Sequence, residues 1–229
     1  MDSKETKFSG FSREALMFLE GLELNNTRSW FEAHKQEYIT LIRVPFEHLL
    51  IHLRDKMQKI DPLLQINARA ISRIYRDTRF SKNKDPYRST VWITLKRNRK
   101  DWADTPSYFF EITPRSYRYG MGFFSASPKT MRKLREEIDV SPRQFHKAIS
   151  FYKHQRKLVI KGEFYRRIFD IAKSPEIQTW YQRKNIYLVC NRNINTILLG
   201  RKLIDVLCSD FIILASLYHY WWSIKDKSS

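Results

Sequence analysis

Residues 108–124 read Tyr-Phe-Phe-Glu-Ile-Thr-Pro-Arg-Ser-Tyr-Arg-Tyr-Gly-Met-Gly-Phe-Phe. Two aromatic-rich runs flank the turn-forming Thr-Pro-Arg-Ser segment. Such runs are typical of β-strands, on which side chains alternate between the two faces of a sheet. Shorter runs of β-branched or aromatic residues occur at residues 71–75 and 91–95. The sequence therefore predicts an antiparallel sheet within residues 70–125.

Helical patterns flank this sheet on both sides. Before it, residues 8–62 carry apolar side chains at helical spacing, with Ser12 as an N-cap and Pro45 as the point where a helix restarts. After it, residues 127–225 are predicted to hold helices and one strand. These later elements are helices from Pro128 and Pro142, a helix at residues 163–172, a strand at residues 186–190 and a helix at residues 203–222. The expected fold class is α+β, an antiparallel sheet covered by N-terminal and C-terminal helices in a single domain over residues 1–229.

The composition is that of a folded globular protein. The 229 residues include 15 Phe, 12 Tyr and 6 Trp, which supply more buriable surface than a disordered chain has. Cys190 and Cys208 are the two cysteines and form no C-x-x-C pair, so a disulfide framework and a cysteine zinc site are excluded. No histidine pattern completes a metal site. We therefore expect no metal, no cofactor and a reducing, cytoplasmic location.

The most apolar stretch of the chain is residues 203–222. Asp205, Asp210 and His219 interrupt it, and inserting each carboxylate into a bilayer would cost roughly 2.5 to 3.5 kcal/mol. We therefore predict an internal helix of the folded domain and no membrane contact. The polar first ten residues also predict no targeting segment.

Positive charge is concentrated in one part of the chain. The formal net charge is +18, but residues 1–50 carry −2, whereas residues 69–100 hold eleven basic and two acidic side chains, a net of +9. This density attracts anions, and nucleic acid or another phosphate-bearing ligand is the expected partner. The alternative is a solvated basic surface that serves solubility. Arg97, in the basic run at residues 96–100, is expected to be mobile and to add only to the diffuse field.

One compact motif lies inside this basic stretch. Residues 73–87 read Arg-Ile-Tyr-Arg-Asp-Thr-Arg-Phe-Ser-Lys-Asn-Lys-Asp-Pro-Tyr, with Asp77 among four nearby cations. One carboxylate can orient one or two of these cations through charge-assisted hydrogen bonds and leaves the others free to bind phosphate or carboxylate. The sequence thus predicts an anion site. Its expected ligand-binding residues are Arg73, Arg76, Arg79, Lys84 and Tyr87, with Phe80 as a second wall.

A second set of binding candidates lies on the N-terminal helical segment. Arg28, Trp30, Lys35 and Tyr38 fall within a few helical turns, and Trp30, His34 and Tyr38 share one stripe at i, i+4 and i+8. One interpretation is an aromatic wall over the anion site that stacks a base or a sugar. The other is core packing, with the two basic side chains extending into solvent.

The catalytic candidates are two carboxylates, Asp77 and Glu111. Glu111 lies in the aromatic run and needs a partner there. An arginine from residues 73–79 would make it part of a salt-bridge network or a general base beside an anion pocket. Three hypotheses follow: an anion-recognition protein, an enzyme acting on a phosphate- or carboxylate-bearing substrate, and a motif that is a structural salt-bridge network. The sequence leaves the catalytic residues and the oligomeric state open.

The motif resembles R-x-x-R-D-x-R-F-x-x-[DN]-K-x-x-Y, the signature of domain-of-unknown-function family 2461, and matches it at every fixed position. Residues 8–19, 25–38 and 108–122 are also similar to that family, and the resemblance extends over roughly residues 8–225. The family has no established activity. The resemblance therefore implies a fold neighbourhood and candidate residues rather than a reaction.

Overall fold

The computed structural model describes residues 7–79 and 81–227, so Phe80 lies outside the described residues. The chain before the sheet is helical. Its helices are α1 (Arg13–Leu24), α2 (Arg28–Ala33), α3 (Lys35–Glu37) and α4 (Val44–Ile60), with a π-helical turn at Tyr38–Arg43. The Ser12 hydroxyl accepts the Ala15 N–H at 3.1 Å, which confirms Ser12 as the cap of α1. Pro45 lies in the first turn of α4, at the point where the preceding π-helical turn, whose Ile39 carbonyl accepts the Val44 N–H, runs directly into the helix.

Six strands within the described residues form one antiparallel sheet in the order β1-β2-β3-β4-β6-β5. The strands are β1 (Leu64–Gln65), β2 (Val91–Arg97), β3 (Pro106–Ile112), β4 (Ser116–Phe123), β5 (Val159–Lys161) and β6 (Tyr187–Asn193). The turn between β3 and β4 is closed by the Thr113 N–H, which donates to the Ser116 carbonyl at 2.8 Å. Val91, Ile93 and Leu95 are buried at alternate positions of β2, as one buried sheet face requires. The predicted α+β fold is confirmed.

Helices resume after the sheet's first four strands in sequence. They are α5 (Pro128–Val140), α6 (Pro142–Ala148), α7 (Pro175–Tyr181) and α8 (Lys202–Asp226). The two predicted Ser-Pro starts are confirmed, because α5 and α6 each begin with the proline. The Ser127 hydroxyl also accepts the Thr130 N–H at 3.1 Å and so caps α5.

The helix predicted at residues 163–172 is wrong. Phe164 instead forms an antiparallel bridge with Arg183, and the Tyr165 N–H donates to the Gln182 carbonyl at 2.9 Å. These long-range hydrogen bonds within the chain use backbone groups that a helix would need for itself. Tertiary pairing therefore overrides the local helical pattern.

Two strand predictions also need correction. Residues 71–75 do not form a regular strand but make isolated bridges, Ile71 to Ile93 and Tyr75 to Tyr87. After residue 127 the sequence predicts one strand, whereas the structure has β5 as well as β6. Strand β5 pairs antiparallel with β6, with Ile160 opposite Leu188.

The described residues divide into two compact units. The first is drawn from Met1–Leu95, Phe109–Arg118 and Asn191–Cys208, and the second from Lys96–Tyr108, Tyr119–Cys190 and Ser209–Ser229. Aromatic rings form the core of the first unit, where Phe11 contacts Phe46 and Phe110 at centroid distances of 4.8 and 5.9 Å. In the second unit Tyr108 contacts Phe211 at 5.1 Å and Tyr218 at 4.9 Å.

Helix α8 places a carboxylate in the core of the second unit. Asp210 is fully buried and accepts a hydrogen bond from the Tyr119 hydroxyl at 2.7 Å. The Lys157 ammonium forms an ion pair with the same carboxylate. By length and composition alone α8 is also able to cross a membrane, and 44% of its most apolar window is buried. The Tyr119 hydroxyl and the Lys157 ammonium together satisfy the buried Asp210 carboxylate.

Gly120 and Gly122 in β4 allow the backbone of β6 to approach closely. A methyl group on Gly120 would overlap the Leu188 carbonyl, and one on Gly122 would overlap Tyr187. A bare backbone is required at both positions for this strand pairing.

Candidate functional site

An open groove in the first unit is lined by side chains of the basic motif. Its volume is about 450 Å³. The described residues that line it are Arg73, Tyr75, Arg76, Asp77, Arg79, Arg88 and Trp92. We call it the arginine groove. Four guanidinium groups face one carboxylate among these lining residues, so their formal charge is +3.

Antiparallel pairing of the backbone positions the groove side chains. Tyr75 bridges Tyr87, and the Arg88 N–H donates to the Ile74 carbonyl at 2.8 Å. The alternation of an extended chain then buries Ile74, which is 4% exposed, and turns Tyr75 outward, where it is 55% exposed. Arg88 is carried into the same groove by the paired segment.

Asn26 fastens this loop to the N-terminal helices. It lies between α1 and α2, and its side-chain Oδ1 accepts the Tyr87 N–H at 2.9 Å while its Nδ2 donates to the Tyr87 carbonyl at 3.1 Å. The Tyr87 ring is 1% exposed and stacks on Phe31 at a centroid distance of 4.3 Å. Tyr87, predicted as ligand-binding, therefore lies behind the groove and anchors the loop.

One ion pair lies at the edge of the groove. Arg79 donates from Nε to Asp77 Oδ1 at 3.0 Å and from Nη2 to Oδ2 at 2.7 Å. The Arg79 hydrogen bonds lower the pKa of the Asp77 carboxyl to about 2. Asp77 is therefore ionised at neutral pH and already occupied, as the sequence predicts for an orienting carboxylate.

The other three groove arginines form no salt bridge with a carboxylate among residues 7–79 and 81–227, although the charge of Arg88 adds to the Arg79 hydrogen bonds in lowering the pKa of Asp77. The Arg88 guanidinium carbon lies over the Trp92 ring, 5.2 Å from its centre, in a cation–π contact. The Nε of Arg76 is buried and has no hydrogen-bond partner within the described chain. Arg73 is exposed at the groove surface. These three cations supply the uncompensated charge of the groove.

The remaining predicted binding residues lie outside the groove lining. Lys84 donates from Nζ to the Thr78 carbonyl at 3.0 Å and so closes the motif loop. Lys35 is exposed and pairs with Glu32 at 3.3 Å, and Arg28 is exposed on α2. Their predicted direct contact with a ligand in this groove is therefore not supported by position.

Trp30 and Tyr38 form part of an aromatic cluster on the helices. Trp30 stacks on His34 at a centroid distance of 4.0 Å, and Tyr38 lies 5.7 Å from Phe31. Burial raises the pKa of the Tyr38 hydroxyl. Tyr75 also contacts Phe31, at 6.1 Å, so the cluster supports the groove from behind. Of the two interpretations of this stripe, packing fits its position.

Glu111, the second catalytic candidate, pairs with an arginine outside the motif. Arg118 on β4 donates to both carboxylate oxygens of Glu111 on β3, at 2.6 and 2.9 Å. An arginine from residues 73–79, one possibility raised from the sequence, is therefore not its partner. Glu111 therefore belongs to a cross-strand ion pair and does not line the arginine groove.

A family model described as a conserved hypothetical protein, DUF2461, matches residues 14–220. The chain belongs to this family. The match confirms the resemblance carried by the motif, and its span includes every residue that lines the arginine groove. A comparison with curated proteins found no match. The DUF2461 match thus fixes the family, and the geometry of the arginine groove carries the evidence for what the protein binds.

Sequence reasoning missed two groove residues of this DUF2461 chain, Arg88 and Trp92. The signal for Trp92 is the alternation in β2, since Val91 and Ile93 on either side are buried and the intervening ring must face the other way. Arg88 follows the bridged Tyr87 and shares its pairing with the motif strand. Arg88 and Trp92 lie just after Tyr87, where the signature ends, so the signature does not include them.

A second basic cleft, of about 220 Å³, lies in the second unit. Two of its cations are already paired, Arg99 with Asp101 at 2.8 Å and Lys225 with Asp104 at 3.0 Å. Burial alone would raise the pKa of Asp104, but hydrogen bonds led by the Ser127 N–H outweigh it and lower that pKa. Carboxylates thus neutralise much of this cleft. Within the described ranges of the chain, no group of three His, Cys, Asp or Glu residues is placed to hold a metal ion.

Proposed function

We propose that the arginine groove binds a phosphate-bearing anion. The observation that supports this proposal is the convergence of Arg73, Arg76 and Arg88 on one groove with no carboxylate partner in the described chain. Converging like charges repel each other, and an anion removes that repulsion. The planar guanidinium group also matches the geometry of phosphate oxygens, to which it donates two parallel hydrogen bonds.

The position of Asp77 favours recognition over a structural salt-bridge network. Its side chain and that of Arg79 are 56% and 77% exposed, and the two residues are two apart in sequence. This ion pair joins two residues of the same loop. Exposed pairs of this kind also contribute little to stability. Asp77 therefore serves to hold Arg79 at the groove.

Among the described residues, the groove offers an enzyme no suitable base. The low pKa of Asp77 makes its carboxylate a weak proton acceptor near neutral pH. Glu111 is engaged by Arg118 and lies outside the groove lining. Binding without chemistry is thus the function that these side chains support best.

Isothermal titration with pyrophosphate at low ionic strength tests the proposal. We expect the wild-type protein to bind one pyrophosphate per chain and Arg88→Ala to bind at least about tenfold more weakly, because a charge-assisted hydrogen bond contributes roughly 1.5 to 3 kcal/mol. Arg69→Ala is the matched control, since Arg69 is an exposed arginine of the same basic stretch that does not line the groove. Absence of binding, or equal weakening in both variants, would refute the proposal.

A further inference from the structure

We propose that the anion bound in the arginine groove is a nucleotide, with its base stacked on Tyr75 and its phosphate among the unpaired arginines. This inference rests on the proposed function and adds the class of ligand. It starts from the two aromatic side chains, Tyr75 and Trp92, that line the groove together with the arginines. Aromatic rings add nothing to the binding of an inorganic anion, whereas the base of a nucleotide stacks on an aromatic ring.

Tyr75 provides the stacking surface. Its side chain is 55% exposed although it is a large aromatic residue, and Tyr87 and Phe31 contact its ring at centroid distances of 5.4 and 6.1 Å. These buried neighbours hold the ring in place, and the exposed part of Tyr75 lies in the groove. A ring held in this way loses little conformational entropy when a base stacks on it.

Trp92 plays a different part from Tyr75. Its ring is covered by the Arg88 guanidinium, 5.2 Å from the ring centre. This cation–π contact positions the guanidinium group beside the ring and leaves its N–H groups available for an anion. Tyr75 is thus the platform for the base, and Trp92 positions the arginine that binds the phosphate.

The size of the groove fits a ligand larger than a phosphate ion. Its volume of about 450 Å³ lies within the range of roughly 300 to 1,000 Å³ that is usual for small-molecule sites. The base and the phosphate of one nucleotide would occupy the aromatic and the arginine parts of this space together. A free nucleotide and one nucleotide of a single strand present the same chemistry.

Comparison of AMP with ribose 5-phosphate tests the inference, because the two ligands carry the same phosphate and differ in the base. We expect AMP to bind wild-type protein at least about tenfold more tightly, as base stacking on an aromatic side chain predicts. Tyr75→Phe should keep this preference. Tyr75→Leu should lower AMP affinity to that of ribose 5-phosphate and leave ribose 5-phosphate affinity unchanged.

The outcomes separate the inference from the proposed function. Equal affinity for the two ligands in wild-type protein overturns the stacked base while the phosphate site stands. Failure of both ligands to bind overturns the inference and the phosphate site together. A preference for AMP that survives in Tyr75→Leu also overturns the role of Tyr75. A ten-nucleotide single strand that binds more tightly than AMP, with the gain lost in Tyr75→Leu, identifies a strand as the source of the nucleotide and supports stacking. Weaker binding of the strand than of AMP identifies a free nucleotide and also supports stacking. Tighter binding of the strand that is equal in wild type and Tyr75→Leu overturns the role of Tyr75.

Discussion

At the scale of single residues, Asn26 connects the motif loop to the helical part of the first unit through both atoms of its amide. We expect Asn26→Ala to lower the free energy of unfolding by about 2 kcal/mol, because two hydrogen bonds are lost and each contributes roughly 0.5 to 1.5 kcal/mol. Asn25→Ala is the matched control, since the exposed Asn25 side-chain amide donates to the Gly21 carbonyl of its own helix. Urea denaturation measures the unfolding free energy of both variants. Equal losses would contradict the role of the Asn26 amide in connecting the loop to the helices.

Protonation at the groove gives a second expectation for single residues. Because the folded pKa of Asp77 lies below its unfolded value, its contribution to stability is complete above about pH 4 and is lost only as the pH falls through about 2. Arginine side chains stay charged throughout. A phosphate monoester, however, gains its second charge near pH 6. AMP affinity should therefore rise about tenfold from pH 5 to pH 7.5, measured by titration calorimetry, whereas a flat profile would contradict binding through the second phosphate charge.

At the scale of elements, Asp210 on α8 holds the helix against β4 through the Tyr119 hydroxyl. We expect Asp210→Ala to destabilise the protein by about 3 kcal/mol, because a buried hydroxyl loses its acceptor and Lys157 loses its partner. Asp205→Ala on the same helix is the control, since Asp205 is exposed. Asp205→Ala should lower the free energy of unfolding by less than about 1 kcal/mol. Thermal and urea unfolding report both, and similar losses would show that α8 does not depend on this buried group.

The elements that could be predicted from the sequence are those with strong local signals. The aromatic runs of β3 and β4 and the Ser-Pro starts of α5 and α6 are such signals, since alternation and proline geometry act within a few residues. The segment at residues 163–172 has a helical pattern, but its backbone pairs with Gln182 and Arg183. Partners that lie far away in sequence decide its structure, and a local pattern does not contain them.

The candidate site divides in the same way. The motif predicts three of the four groove arginines, Arg73, Arg76 and Arg79, and the orienting role of Asp77, because these residues are close in sequence and opposite in charge. It does not distinguish Tyr87, which packs on Phe31, from residues that face the groove. Arg97, expected to be mobile, is 18% exposed and lies over the Trp222 ring at 3.8 Å. Such contacts depend on the packing of distant elements.

At the scale of the whole molecule, the charge is strongly uneven along the chain. Residues 1–50 carry a net charge of −2 and residues 51–229 a net charge of +20, which together give the total of +18. If phosphate neutralisation drives nucleic-acid binding, the logarithm of affinity for single-stranded DNA should fall linearly with the logarithm of salt concentration, with a slope of about −0.7 for each neutralised phosphate. Fluorescence anisotropy from 50 to 300 mM salt measures this slope. Affinity that does not change with salt would exclude an electrostatic mode of binding.

The arginine groove is expected to bind an anion among Arg73, Arg76 and Arg88. The most direct test of this binding is an NMR titration of the arginine side-chain Nε–H signals with pyrophosphate, with each signal assigned by substitution. We expect saturable shifts of these three signals with one common dissociation constant, while the signals of the exposed Arg13 and Arg69 stay in place. Small, unsaturated shifts spread evenly over all arginine signals would contradict the account and reduce the groove to a part of a diffuse basic surface.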